Sequence, residues 1–193
     1  MREEKKLEKR KRVTAICLDT FIEKGLTVTT TKDLSTAAGV QNGGIFYYFS
    51  TKEEIILTCA EEAIDRIEKR AFDIALNDLT DIENMFDQLG ALADQMAPTM
   101  RFLVSVCVTN EYGDKVKPLL EKLAGRYPDY TNRIAQILGC SVEAVEPIVH
   151  LSILALNNYM IFGERALFNP QMQSAKRELM RLAGEKQQEG KSE

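Results

Sequence analysis

Residues 41–48, which read QNGGIFYY, bring together amides, glycines and phenols. The side-chain amides of Gln41 and Asn42 can form paired hydrogen bonds with the edges of nucleic-acid bases. The two glycines would allow a backbone to approach a partner closely, and the hydroxyls of Tyr47 and Tyr48 can donate to phosphate oxygens. This combination suits contact with a duplex groove, so the segment indicates binding rather than bond-making chemistry.

Catalytic and metal chemistry have little support elsewhere in the chain. His150 is the single histidine, and no nucleophile elbow, phosphate-binding loop, zinc-protease motif or dinucleotide fingerprint is present. The four cysteines are far apart and form no CxxC pair, which favours buried, reduced thiols over a disulfide framework or a zinc site. They are Cys17, Cys59, Cys107 and Cys140. We therefore expect no enzyme, no cofactor and no metal.

The charge of the chain is unevenly distributed. The formal net charge of -4 averages two unlike parts. Residues 1–52 contain 10 Lys and Arg against 6 Asp and Glu, whereas residues 53–193 contain 15 against 23. A basic segment joined to an acidic one is typical of a polyanion-binding end attached to a body with another role.

Helical patterns position the polar segment in the N-terminal part of the chain. Apolar residues between Val13 and Phe21 recur at helical spacing, and Thr30 with Asp33 fits a capping box that would start a second, short helix. Gly39 supplies a tight turn before a third helix. A long fourth helix would follow the possible caps at residues 50 and 51. The predicted helices are about 4–24, 31–38, 41–49 and 51–77.

The remaining sequence keeps the helical period and shows no strand alternation. Proline and glycine divide it into helices at about 81–96, 99–111, 115–138, 142–162 and 171–183. The predicted fold is therefore all-α, with about nine helices. We expect a helix-turn-helix DNA-binding domain at residues 1–50, followed by a second helical domain at residues 51–193, whose effector-binding and dimerisation role is implied by the family resemblance of the first domain.

The stretch TTTKDLSTAAGVQNGGIFYYFSTKEEI resembles the DNA-binding domain of the tetracycline-repressor (TetR) family. The resemblance covers about residues 10–60. It implies a homodimeric regulator, usually a repressor, whose C-terminal domain binds a small molecule that releases double-stranded DNA with a palindromic operator. The positions that match the family's DNA contacts, together with the neighbouring glycine of the same run, are Thr30, Thr31, Lys32, Gln41, Asn42, Gly43, Gly44, Tyr47, Tyr48 and Lys52.

Two departures from the family pattern affect this interpretation. Phe46 stands where the family most often has a tyrosine, so a hydroxyl contact with phosphate is lost there. Asn42 and the two glycines after it replace a run that usually carries a cation. Without a cation on this segment, amide recognition of adenine becomes more plausible than the Arg or Lys contact with guanine.

The N-terminal cations allow two interpretations. They could form a solvated helix surface, or an arm that follows the phosphate backbone or enters the minor groove. The residues concerned are Lys5, Lys6, Lys9, Arg10, Lys11 and Arg12.

The C-terminal part suggests a dimer interface and an effector pocket. The segment 142–162 is apolar on nearly all sides, which predicts burial in a core or an interface; it falls short of a membrane span, and the N-terminus lacks a signal peptide, so a cytoplasmic protein is expected. The resemblance implies a four-helix dimer bundle from 142–162 and 171–183. Apolar and aromatic side chains with a few polar anchors could line a pocket for a hydrophobic or aromatic effector. These candidates are Met85, Phe86, Leu89, Met96, Arg101, Phe102, Tyr112, Tyr127, Tyr130, His150 and Asn157.

One alternative to a working regulator stays open. The missing tyrosine at Phe46 and the modest basic charge are also compatible with an all-α ligand-binding or adaptor module whose helix-turn-helix no longer binds DNA.

Overall fold

A computed structural model describes residues 2–77 and 79–189. The predicted all-α fold is confirmed: the described residues form eight α-helices and one 3-10 helix, and no strand occurs among them. The elements are α1 Arg2–Lys24, α2 Thr31–Ala37, the 3-10 helix Gly44–Tyr47, α3 Lys52–Asn77, α4 Ile82–Cys107, α5 Gly113–Ala124, α6 Tyr127–Leu138, α7 Val142–Phe162 and α8 Arg165–Glu189.

The helices form two compact units. The N-terminal unit comprises Met1–Arg66 and Pro98–Glu121, and the C-terminal unit comprises Ile67–Ala97 and Lys122–Glu193. Helices α3 and α4 therefore contribute residues to both units. The division at residue 50 follows from the sequence resemblance and stays a prediction.

An apolar core holds the N-terminal unit together. The buried faces of α1, α2, the 3-10 helix and α3 meet there, because each element carries apolar side chains at the spacing of one helix face. The ring of Phe21 also stacks on that of Phe102 at 5.6 Å between centroids. The most deeply buried members of this core are Leu18, Phe21, Leu34, Ile45, Phe49, Ile55 and Ile56.

The prediction of an α-helix over 41–49 was wrong. Residues 41–43 form a turn, and a single 3-10 helix follows at Gly44–Tyr47. The amide of Gly44 donates to the carbonyl of Gln41 at 2.7 Å, and that of Phe46 donates to Gly43 at 3.1 Å. Gly43 has a φ of 83°, which lies in the left-handed region and cannot belong to an α-helix.

Prolines mislead the prediction of helix boundaries in the rest of the chain. Pro98 was expected to separate two helices, yet α4 is continuous through it. Pro170 likewise lies inside α8, which begins at Arg165 rather than at residue 171. Conversely, the helix predicted at 115–138 is divided into α5 and α6, with Pro128 in the first turn of α6. A proline removes one helical hydrogen bond, so a well-packed helix can continue past it, whereas a first turn has no such bond to lose.

Helix α7 is less uniformly buried than its composition suggests. Val145 and Ala155 are fully buried, but Leu154 is 61% exposed. By length and composition α7 is the one described helix that could cross a membrane, a property that core helices of water-soluble proteins share. In the single chain α7 is therefore buried on one side only, and its burial in an interface stays a prediction.

The cysteines divide into two pairs by burial. Cys17 and Cys59 are fully buried, and burial raises the pKa of the Cys17 thiol to about 12. Cys107 and Cys140 are partly exposed, so the expectation that all four are buried is wrong for these two. Cys140 also lies outside a helix, after the end of α6.

Candidate nucleic-acid interface

A capping box starts α2, as predicted. The amide of Asp33 donates to the Thr30 hydroxyl at 3.2 Å, while the Asp33 carboxylate accepts from the Thr30 amide at 2.9 Å. The same carboxylate lies 2.6 Å from the Nζ of Lys24 at the end of α1. Hydrogen bonds from Lys24 and Thr30 hold the pKa of Asp33 well below its usual value. The N-terminus of α2 is thereby fixed to α1.

A glycine turn joins α2 to the polar segment. Gly39 has a φ of 66° and donates its amide to the carbonyl of Thr36 at 3.1 Å. The amide of Val40 then reaches back to Ser35 at 3.0 Å. These two bonds end α2 in the manner of a Schellman motif. The chain direction after α2 is thus set before the polar segment begins.

The polar segment alternates between core and solvent. Ile45 and Phe49 are buried, which anchors the 3-10 helix. Gln41 and Asn42 are exposed in the turn, and the Tyr47 side chain is 65% exposed. The predicted hydrogen-bonding groups therefore face away from the core, as contact with a duplex requires.

Phe46 does not pack into the core in place of the usual tyrosine. Its side chain is 47% exposed. An exposed ring without a hydroxyl offers an apolar contact rather than a hydrogen bond to phosphate.

The two tyrosines form a small aromatic cluster. The rings of Tyr47 and Tyr48 lie edge to face with 5.1 Å between centroids. The Nζ of Lys6 lies over the Tyr47 ring at 4.8 Å from its centroid. A cation at this distance is attracted by the ring face. The first turns of α1 thus contact the aromatic cluster directly.

Arg10 has a structural role that the sequence analysis missed. Its Nε donates to the carbonyl of Tyr48 at 3.2 Å, and its Nη2 lies 2.7 Å from the Glu54 carboxylate. The guanidinium also lies over the ring of Phe49, 5.0 Å from its centroid. Arg10 is therefore occupied in joining α1 to the 3-10 helix and α3. Its spacing three residues before the buried Val13 is the sequence signal that could have revealed this role.

Glu54 completes this junction at the start of α3. Its carboxylate accepts from the amide of Ser50 at 2.6 Å, and its own amide donates to the hydroxyl of Thr51 at 3.0 Å. The backbone hydrogen bond from Ser50 lowers the pKa of Glu54, and the positive charge of Arg10 lowers it further. The Thr51 hydroxyl thus caps the start of α3, where the sequence predicted a cap at residue 50 or 51.

The predicted DNA contacts all belong to the N-terminal unit. Thr30, Thr31 and Lys32 lie at the start of α2, which packs against both α1 and the 3-10 helix. Lys52 is the first residue of α3 and is partly exposed. Each of the ten predicted positions is at least partly exposed: Thr30, Thr31, Lys32, Gln41, Asn42, Gly43, Gly44, Tyr47, Tyr48 and Lys52.

The C-terminal unit contains an apolar cavity. It has an empty volume of about 580 Å³, part of which is open to solvent. Among the described residues of its lining, Ser152 has the one polar side chain, and the Ser152 hydroxyl donates to the carbonyl of Ile148 at 2.8 Å. Three of the predicted pocket residues line it: Met85, Phe86 and Leu89.

The other predicted pocket residues lie elsewhere. Arg101, Phe102 and Tyr112 belong to the N-terminal unit, because α4 leaves the C-terminal unit at Pro98. Met96 is buried but does not line the cavity, and Asn157 is half-buried outside it. His150 is exposed on α7 and does not line the cavity.

Tyr127 and Tyr130 border the cavity through Phe72, which lines it. The Phe72 ring stacks on Tyr130 with 3.2 Å between centroids and lies 6.3 Å from Tyr127. The Tyr130 hydroxyl donates to the buried carboxylate of Glu68 at 3.1 Å, and the Nη1 of Arg126 lies 2.6 Å from the same carboxylate. Burial raises the pKa of Tyr130, and the Glu68 charge adds to this. This polar cluster escaped the sequence analysis.

Comparisons with known proteins agree with the helix-turn-helix geometry. Residues 18–59 match the family described as bacterial regulatory proteins, tetR family. Over 143 residues the chain is 27% identical to YfiR of Bacillus subtilis (strain 168), an uncharacterised HTH-type transcriptional regulator; the match covers 70% of this chain and 67% of that protein. The resemblance predicted from the sequence is confirmed.

Two solved structures share the fold. One is a candidate transcriptional regulator from Rhodococcus sp. RHA1, with a TM-score of 0.64, 21% identity and coverage of 90% of this chain and 94% of that one. The other is FadR of Thermus thermophilus, a TetR-family repressor in complex with lauroyl-CoA. It has a TM-score of 0.53, 16% identity and coverage of 89% and 93%.

Proposed function

We propose that the chain is a transcriptional regulator of the tetR family that acts as a cytoplasmic homodimer and represses transcription from a palindromic operator until a small apolar effector releases it. One observation carries this proposal. The helix-turn-helix buries Ile45 and Phe49 while amides and phenols face outward beside them. Exposed amides over a buried anchor are what direct contact with base edges requires.

The proposed DNA contacts divide by chemistry. The turn residues Gln41 and Asn42 offer amides to base edges, and amides pair best with adenine. The hydroxyls and cations at the starts of α2 and α3, together with the phenols at the end of the 3-10 helix, contact phosphate, where they fix the register of the protein on the duplex. This second set comprises Thr30, Thr31, Lys32, Tyr47, Tyr48 and Lys52. Gly43 and Gly44 keep the backbone close to the groove.

The proposed effector is uncharged and apolar. The cavity offers one hydroxyl, on Ser152, and its proton is already donated to the carbonyl of Ile148. A charged or strongly polar ligand would lose its hydration there without replacement, at a cost of several kcal/mol, roughly 2–7 for a single polar group.

The proposed dimer interface involves α7 and α8. Leu154 and Phe162 of α7 are 61% and 68% exposed, and Leu167 of α8 is 67% exposed. Exposed apolar side chains of this size favour a protein interface over solvent. A two-fold dimer would present two helix-turn-helix segments to half-sites one helical turn apart, about 34–36 Å.

Gel-shift titration against the DNA immediately upstream of the protein's own gene tests the function. We expect a discrete complex whose affinity falls when Tyr47→Ala removes a proposed contact. Glu143→Gln, on the exposed start of α7, is the matched surface control and should bind like the original. The absence of any complex with this region or with other duplexes would instead favour a ligand-binding module that no longer recognises DNA.

A further inference from the structure

The first turns of α1 extend beyond the core of the N-terminal unit. Helix α1 begins at Arg2, but its first buried apolar side chain is Val13. Between residues 4 and 12 the one apolar residue, Leu7, is 54% exposed. A polar helical segment of about nine residues is too short to be stable on its own. Residues 4–12, the α1 extension, therefore depend on contacts with the rest of the unit.

Two cations anchor the α1 extension to the aromatic cluster. Lys6 lies over the ring of Tyr47, and Arg10, four residues later, bonds to the carbonyl of Tyr48 and the carboxylate of Glu54. Residues four apart lie on the same face of a helix. This face is therefore turned towards the 3-10 helix, and the rotation of the extension about its axis is fixed.

A stripe of further cations runs beside the anchored face. An α-helix turns about 100° per residue, so Lys5, Lys9 and Arg12 are neighbours along one side. All three are exposed, and in the part of the chain that the structure describes no carboxylate lies within ion-pair distance of them. Like charges at this spacing repel each other. The stripe thus lowers the stability of the free extension slightly and favours contact with a polyanion.

We propose that the α1 extension is a second DNA-contacting element, in which Lys5 and Lys9 hold phosphates of the duplex beside the half-site. This inference rests on the proposed function. The anchor residue Lys6 contacts Tyr47, itself a proposed DNA contact, so the stripe begins next to that surface. A helix is about 10–12 Å across and the minor groove about 6 Å wide, so the extension follows the backbone rather than entering the groove.

Phosphate contacts carry no sequence information, so a duplex of arbitrary sequence tests the proposal. We would measure binding of the full chain to a random-sequence 30-base-pair duplex by fluorescence anisotropy, from about 50 to 200 mM salt. The variant Lys9→Gln should reduce the slope of log affinity against log salt by about 0.9 for each protomer in contact with DNA. The double variant Lys5→Gln/Lys9→Gln should reduce the slope by about 1.8 for each protomer. The ratio of the affinity at about 50 mM salt to that at about 200 mM salt should then be about tenfold smaller than for the original chain.

Lys11→Gln is the matched control. Lys11 is exposed on the same segment and changes the charge equally, but it lies about 160° around the helix from Lys9. We expect Lys11→Gln to keep the original slope, and circular dichroism to show that all variants melt alike. Equal slopes for Lys9→Gln and Lys11→Gln would overturn the proposal while leaving DNA binding intact. If the unaltered chain bound no duplex at all, the proposed function would fail as well.

Discussion

At the scale of single residues, Arg10 shows how one side-chain type can serve two purposes. The sequence groups it with five other N-terminal cations, because charge runs do not indicate which member faces the core. In the structure it lies under Tyr48, Phe49 and Glu54, whereas Lys5 and Lys9 point to solvent. The role of each cation depends on whether it lies on the same face of α1 as the buried Val13. The helical period identifies that face only where the helix is known to extend as far as the cation.

The junction of Arg10 and Glu54 makes the N-terminal unit sensitive to acid. Because the pKa of Glu54 is lower in the folded chain than its ordinary value of 4.5, the folded state favours the carboxylate. The stabilisation is complete above that value and is lost as pH falls through the lower folded pKa. We expect the melting temperature, followed by circular dichroism, to decrease below about pH 4.5.

The variant Glu54→Gln isolates this contribution. It should be less stable than the original chain at neutral pH, and its melting temperature should decrease less on acidification. Glu178→Gln is the comparison, because Glu178 also has a lowered pKa but pairs with Arg181 on the exposed surface of α8. Surface pairs of this kind contribute little to stability because solvent screens them. An identical pH profile for Glu54→Gln and the original chain would contradict the assignment.

From the exposed amide of Asn42 we predict one base of the operator sequence. If it pairs with adenine, selection of bound oligonucleotides should return half-sites with an adenine at a fixed position. The variant Asn42→Ala should lose about 1–3 kcal/mol of discrimination there, equivalent to roughly 5- to 150-fold. Affinity for random duplexes should change little, because phosphate contacts supply it. Guanine-anchored half-sites that are unaffected by Asn42→Ala would refute adenine recognition.

At the scale of elements, the polar segment shows what pattern analysis can and cannot supply. The buried residues Ile45 and Phe49 and the exposed Gln41 and Asn42 follow from their spacing and types. The 3-10 geometry does not, because the difference between i→i+3 and i→i+4 bonding depends on the left-handed Gly43. A glycine in sequence is compatible with a helix interior, a turn or a close approach to DNA, so its dihedral angles had to come from the structure.

The apolar cavity likewise depends on packing between residues that are far apart in the sequence. Its lining comes from α3, α4, α6, α7 and α8, so no local pattern could assemble it. Aromatic residues such as Tyr112 and Phe102 have the right composition for a pocket, but they belong to the other unit.

The conformation of Gly43 makes a testable prediction for its element. A side chain at a φ of 83° is strained, so Gly43→Ala should lower the free energy of unfolding by about 1–2 kcal/mol. Gly90→Ala is the control and should have the opposite effect. Gly90 lies inside α4, where an added Cβ would lie 4.0 Å from the Phe168 ring, an ordinary van der Waals contact. It should stabilise the chain by about 0.5–1 kcal/mol. Chemical denaturation measures both, and equal effects of the two variants would rule out strain at Gly43.

At the scale of the whole molecule, the uneven charge gives a physical reason for the proposed dimer. Residues 53–193 carry an excess of acidic side chains and would be repelled by DNA, so binding relies on the basic residues 1–52. A single basic segment of this size gives modest, salt-sensitive affinity. Joining two of them lets the second bind at a high effective concentration, so assembly should contribute strongly to operator affinity.

A substitution of Leu154 can test dimer assembly and operator binding together. A charge in place of this exposed α7 side chain would be costly in an apolar interface but harmless in solvent. We expect Leu154→Arg to sediment as a monomer at micromolar concentration in the analytical ultracentrifuge, with an unchanged helix content by circular dichroism and much weaker operator binding. Ile137→Arg, at an exposed apolar position of α6, should remain dimeric. A chain that is monomeric before substitution, or a Leu154→Arg variant that stays dimeric, would refute an interface at this face of α7, and the two-fold model of operator recognition would then need another surface.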